Sequence, residues 1–145
     1  MDQPLSLYLG RTAAKIIGDQ GWKGAPFKTL IGASGGPKWL ILSELDQMLA
    51  SELLRHQSQP LQLLGSSIGT WRHAGLSQPQ PGAAIKRLQT AYLQQQYSRA
   101  KPSPAEVSHV AEQLLHEAIG PHGATHIIEH DRFHNIIVTA RGRGL

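Results

Sequence analysis

The sequence predicts an α/β fold, with a parallel or mostly parallel sheet and flanking helices. Two short apolar runs, Thr29-Leu30-Ile31 and Leu61-Gln62-Leu63-Leu64, each enter a glycine-rich turn and leave it in a segment with apolar residues at helical spacing. A third run, Ile136-Ile137-Val138, follows two further helix-length segments. Strands separated by helices of this length are joined by crossovers, and crossovers join parallel strands.

The elements follow in chain order. Leu5-Ser6-Leu7-Tyr8-Leu9 alternates like a strand, with three leucines on one face. Arg11 to Gln20 is a helix with Ala13, Ala14, Ile16 and Ile17 apolar, stopped by Gly21. Gly24-Ala25-Pro26 is a turn. The strand at Thr29-Leu30-Ile31 runs into Gly32-Ala33-Ser34-Gly35-Gly36-Pro37-Lys38, and Pro37 stands at the first turn of a helix over 37–55. Gln57-Ser58-Gln59-Pro60 breaks that helix before the second strand. Gly65-Ser66-Ser67-Ile68-Gly69 then opens a helix to about residue 75.

The second half has a different character. Leu76 to Gly82 reads as a polar, proline-broken linker, and Ala83 to Ser98 as a helix with Ile85, Leu88, Tyr92 and Leu93 near one side. Ser103 followed by Glu106 forms a capping box for a helix through about Ile119, with Pro104 in its first turn and Gly120-Pro121 at its end. The helical pair 83–119 reads either as an insertion over an active site or as two helices packed on the sheet. Ile127-Ile128 and Ile136-Ile137-Val138 favour strands.

Composition sets the class. The chain has 145 residues, enough to bury a core, and its 40% hydrophobic and 17% charged residues are ordinary for a globular domain. With no cysteine it has neither disulfides nor thiolate metal sites. No apolar run approaches the roughly 20 residues of a membrane span, and Met1-Asp2-Gln3-Pro4 begins neither a basic leader nor an apolar signal core. The default expectation is a cytoplasmic protein. A net charge of +4 suits solubility or attraction to anionic head groups. Arg141 and Arg143 are the densest basic spot and make no nucleic-acid stripe, so no nucleic-acid partner is expected.

Chemistry concentrates in the two glycine turns. Gly65-Ser66-Ser67-Ile68-Gly69 is a G-x-S-x-G elbow, in which a strand delivers Ser67 to a sharp turn and a helix N-terminus faces the developing oxyanion. The earlier loop presents bare backbone N–H groups that suit a phosphate or an oxyanion. It is neither a P-loop, since Pro37 precedes Lys38 and Trp39 follows it, nor a dinucleotide loop, since Gly32-Ala33-Ser34 lacks the second glycine. Gly32-Ala33-Ser34-Gly35-Gly36 is itself a G-x-S-x-G match, so Ser34 is a rival nucleophile. Lys38 and Arg72 stand beside the glycine turns as possible contacts for an anionic substrate, with solvated positions as the plainer account. His73, six residues after Ser67, could be a base, but on the elbow's own helix it is expected to point away from the hydroxyl, to the surface or into helix packing.

His122, His126, His130 and His134 recur every four residues, which on one helix would line a face. Gly123 and the neighbouring isoleucines favour strands instead, and no Glu completes H-E-x-x-H. Neither a metal nor a cofactor is expected.

The order of the two turns resembles the patatin-like phospholipase family. There a Gly-Gly-x-[Arg/Lys] oxyanion loop follows an early strand and a G-x-S-x-G elbow follows the next. Gly35-Gly36-Pro37-Lys38 and Gly65-Ser66-Ser67-Ile68-Gly69 match these motifs, and the resemblance covers about residues 27 to 75. It implies a three-layer architecture, Ser67 as nucleophile, and an oxyanion hole from Gly35 and Gly36, with the Ile68 N–H as a third donor; Ser34 becomes a loop residue. Two departures stand beside it. Ala33-Ser34 replaces the usual Asp-Gly, and Trp39 stands where glycine is common. The family pairs its serine with an Asp in an Asp-Gly pair far downstream. Here the aspartates are at 2, 19, 46 and 131, and none precedes a glycine.

The missing Asp and the apolar run just before the chain's end suggest that residues 1–145 are the N-terminal part of one longer hydrolase domain, inactive alone. Such a part would associate with a remaining C-terminal portion or with itself. The expected function is serine acyl-ester hydrolysis on lipid or phospholipid substrates, with peripheral membrane contact. The alternative is a non-catalytic fragment or pseudo-enzyme that keeps the fold for binding or assembly.

Overall fold

The computed structural model describes residues 6–21 and 27–141. Strands β1 (Thr29–Gly32), β2 (Leu61–Ser66) and β3 (Phe133–Val138) form a sheet in the order β1-β2-β3. Both pairings are parallel, with Gly32 opposite Gly65 and Ser66 opposite Val138. The chain is therefore an α/β fold, as its pattern predicts.

Helix α1 spans Arg11–Gln20 and ends at Gly21, whose φ of 74° lets its N–H reach the Ile17 carbonyl at 2.9 Å. None of its residues is buried. The strand expected before it does not form over residues 6–9, which are irregular, with Tyr8 93% exposed. Alternation makes a strand only where a neighbouring edge completes its hydrogen bonds. Leu5 and the turn expected at 24–26 lie outside the described residues.

The helix expected over 37–55 is one helical stretch of changing pitch. A 3-10 segment, Gly36–Leu42, leads into α2, Ser43–Met48. A π turn, Leu49–Leu53, and a short 3-10 turn, Leu54–His56, finish it. Trp39, where the resembled family has glycine, is 2% exposed and meets Tyr92 edge-on with ring centres 5.8 Å apart. It anchors a small cluster with Ile68, Leu88 and Ala118.

Helix α3 (Ile68–Leu76) is followed by α4 (Pro81–Gln94), α5 (Pro104–Ile119) and α6 (Gly123–Ile128). The segment from Leu76 is not the loose linker that its prolines suggest. Leu76, Ser77 and Gln78 are buried. The Gln78 amide donates to the Ala74 and Gly123 carbonyls, and the Ser77 hydroxyl donates to the His73 carbonyl while accepting from Asn135. Polar residues serve as interior joints once each has partners.

Helix α4 starts at Pro81, two residues before the expected boundary, and stops at Gln94. Ala84, Ile85 and Leu88 are fully buried, whereas Leu93 is 65% exposed. Because Ile85 and Leu88 belong to the two hydrophobic clusters, α4 is core rather than a cover over Ser67. Ser103 caps α5 by accepting from the Glu106 N–H at 3.2 Å. The other half of the capping box is redirected, since the Glu106 carboxylate takes the Ser98 N–H. Ile127 and Ile128 are helical, not extended, in α6.

The larger cluster lies on one face of the sheet, where Leu61, Leu63 and Phe133 meet Ala50, Leu54, Leu76 and Ile85. The other face is bare among the described residues. The register aligns Ile31, Leu64 and Ile136 across it, with Val138 beside Ser66. Ile31 is 71% exposed, Ile136 42% and Val138 56%. The described residues thus make two layers of the implied three, and all-parallel sheets are normally covered on both faces.

Candidate active site

Ser67 sits between β2 and α3 with φ 52° and ψ −130°. It is the one non-glycine residue with positive φ among the described residues. A side chain in that region costs of order 1–3 kcal/mol, which the surrounding structure must impose. Glycines impose it here. A Cβ on Gly65 would lie 2.7 Å from the Thr70 backbone, so only glycine lets α3 fold back over the end of β2. A Cβ on Gly69 would overlap the Gly32 carbonyl, so only glycine lets α3 touch the end of β1. Ser67 itself is exposed.

The two glycine turns therefore adjoin. Gly32 pairs with Gly65 at the C-terminal ends of neighbouring strands, and Gly69 packs on the Gly32-Ala33 backbone where the first loop begins. Open α/β sheets place their ligands at this end. Gly36 has φ 52° and turns the loop into the 3-10 segment. Lys38 donates the segment's first backbone hydrogen bond, to Gly35 at 3.3 Å, so the Gly35 and Gly36 N–H groups precede the helical ladder. The Ile68 N–H opens α3 in the same way. Ser34 and Lys38 are exposed on the loop.

Arg72 is not free for an anionic substrate. Its Nε and Nη2 donate to the two carboxylate oxygens of Asp46, both at 2.6 Å, with Asp46 1% and Arg72 13% exposed at the side chain. This fork ties α2, which follows the first glycine turn, to α3, which follows the second. Its partners are 26 residues apart, and no local spacing signals such a pair. Removing one partner strands the other, so Asp46→Ala should cost about 3–5 kcal/mol in urea unfolding. Replacing both by leucine should recover most of it; additive losses would refute the coupling.

Of the two expected places for His73, surface or helix packing, the second is the one it occupies. It is 2% exposed, and its ring lies 2.9 Å from where a Cβ on Gly32 would stand. Burial and then the Arg72 charge lower its pKa to about 4, against the opposing pull of Asp46, so it is neutral at pH 7. The unfolded chain takes a proton on His73 below its ordinary value near 6.5, and the folded chain only below about 4. Stability should therefore fall as pH drops through that window, by up to about 3 kcal/mol, and level off beneath it. Urea midpoints from about pH 7 to about pH 4 measure this, and His73→Gln should flatten the slope. An unchanged slope would assign the pH dependence to another group.

No family model matches the chain, and neither a curated protein nor a solved structure matches it.

None of the described aspartates is hydrogen-bonded to Ser67. Asp19 pairs with Lys15 at 2.6 Å, Asp46 is held by Arg72, and Asp131 precedes β3 at the far end of the sheet. Among the described residues the Ser67 hydroxyl has no hydrogen-bond partner, and none of their acidic and histidine side chains cluster as metal ligands. His122 and His126 stand 6.5 Å apart between ring centres, and His130 instead stacks on Phe133.

Proposed function

We propose that the chain carries the nucleophile and oxyanion loop of a serine acyl hydrolase of the patatin-like phospholipase kind. The observation that carries this is Ser67 held at φ 52° on the turn from β2 into α3. Ser67 Oγ attacks the ester carbonyl and passes its proton to a carboxylate from outside residues 1–145. The oxyanion takes hydrogen bonds from the N–H groups of Gly35, Gly36 and Ile68. As the tetrahedral adduct collapses and its C–O bond breaks, the protonated carboxylate returns its proton to the leaving alcohol; the same carboxylate then takes a proton from water, which attacks the acyl-enzyme and frees Ser67. Lys38, exposed on the first loop, takes the anionic head group in this reading. The work requires no cofactor. Its setting is the cytoplasm with peripheral contact to a lipid surface, in keeping with the absence among the described residues of any helix long and apolar enough to cross a membrane.

A second reading, a non-catalytic fragment that keeps the fold for binding or assembly, is favoured by the missing base. A fluorophosphonate probe on the complete protein separates the two. Covalent labelling that vanishes in Ser67→Ala supports the hydrolase, and an unlabelled Ser67 supports the second reading.

The bare sheet face adds an expectation about assembly. Residues 1–145 alone should show weak esterase activity at most and should associate through Ile31, Leu64 and Ile136, with themselves or with a remaining C-terminal portion. Sedimentation should find oligomers that Ile31→Lys disperses. A monodisperse monomer with full, Ser67-dependent turnover would overturn this.

A further inference from the structure

A cleft of about 470 Å³ opens at the N-terminal end of the sheet, where Phe133 pairs with Leu61. Ser67 follows the opposite end of β2, about 17 Å of strand away. The cleft's floor is apolar and buried, formed by Ala50, Leu54, Leu76 and Phe133. One wall belongs to the π turn, which places Ala50 and Ser51 there; such turns recur at functional sites. Among the described residues no aspartate or glutamate lines the cleft, whereas Arg55 and Arg132 both do.

Those cations are positioned in different ways. Arg132 donates through Nη1 to the Gln57 carbonyl, which holds its guanidinium 5.8 Å from the centre of the Phe133 ring. Its other guanidinium N–H groups have no acceptor among the described residues. Arg55 is exposed and, among the described residues, hydrogen-bonds only the neighbouring His56 ring, at 3.2–3.3 Å. His130 lines the same cleft and stacks on Phe133 with ring centres 4.4 Å apart. Its Nδ1 accepts the N–H groups of Arg132 and Phe133 at 3.2 and 3.0 Å, which leaves Nε2 to carry the proton of the neutral ring. An apolar floor thus meets several donors and no acidic side chain. That combination selects an anion with an apolar body.

We infer that this cleft binds a small organic anion, a carboxylate or phosphate monoester on a short apolar chain, with Arg132 and Arg55 taking the charged head and the Leu54–Phe133 floor taking the body. The site stands independently of any chemistry at Ser67.

Calorimetric titration of the full chain with octanoate, octyl phosphate, octanol and inorganic phosphate tests it. Octanoate or octyl phosphate should bind saturably at one site, and the tighter of the two identifies the head group. Octanol and inorganic phosphate should each bind at least about tenfold more weakly, because each lacks half of the recognition. Arg55→Gln, an exposed change that spares the core, and Arg132→Gln should each weaken binding by about tenfold. Ser51→Trp should block the cleft, whereas Glu112→Gln, an exposed change on α5 away from the cleft, should leave binding unchanged. Equal affinity for octanol and octanoate, no saturable binding, or binding indifferent to both Arg55→Gln and Ser51→Trp would overturn the inference.

Discussion

Ser67→Ala in the complete protein should lower ester hydrolysis by roughly four to six orders of magnitude, the scale of losing a nucleophile whose partners act only through it. Ser34→Ala should cost less than about tenfold, since in the proposed mechanism its loop acts through backbone N–H groups and not through the Ser34 hydroxyl. The pair of variants is informative because both serines occur in a G-x-S-x-G spelling. What separates them is backbone geometry. Ser67 has φ 52°, whereas positive φ in the first turn falls on Gly36. Steady-state turnover of a short-chain ester by both variants is the measurement. A larger loss from Ser34→Ala would exchange the roles of the two turns.

Gly69→Ala should disrupt both the fold and the site. The added methyl would overlap the Gly32 carbonyl and press on the Ala33 carbonyl at 2.9 Å, and backbone on both sides has little room to give. Overpacking of this kind costs about 1–3 kcal/mol, and a clash with rigid backbone lies at or beyond the upper end. Any relief must move α3 away from β1, which separates Ser67 from the loop that starts at Gly32. Urea unfolding should show the loss, and fluorophosphonate labelling should slow even where the variant remains folded. Gly82→Ala is the control, since a Cβ there meets nothing within 4 Å. Equal behaviour of the two variants would mean that close approach of α3 to β1 does not govern the elbow.

Much of the fold was legible because local pattern and tertiary demand agree. The strands at 29–32, 61–66 and 133–138 coincide with the apolar runs, and Gly21, Ser103 and Gly120 stop or start helices as their chemistry suggests. Where the two disagree, packing decides. Leu5 to Leu9 alternates well, yet residues 6–9 pair with no described strand, and the Ile127-Ile128 pair, read as extended, is wound into α6. Leu76 to Gly82 reads as a linker because prolines and glutamines are usually solvated. Buried partners for Ser77 and Gln78 reverse that.

The sequence by itself determined the parallel α/β class and the two glycine turns, because each depends on residues adjacent in the chain; Ser34 and Ser67 share one spelling, and it is backbone geometry that sets Ser67 apart. A strand, a glycine and a helix N-terminus are local objects, and their order survives without knowledge of the rest. Only the tertiary structure decided that Arg72 belongs to Asp46, that His73 is buried and neutral, and that one sheet face is bare. It also brought Arg55, His130 and Arg132 to one cleft. These are contacts between residues far apart in the chain, set by how helices lie across strands, and no short-range spacing encodes them.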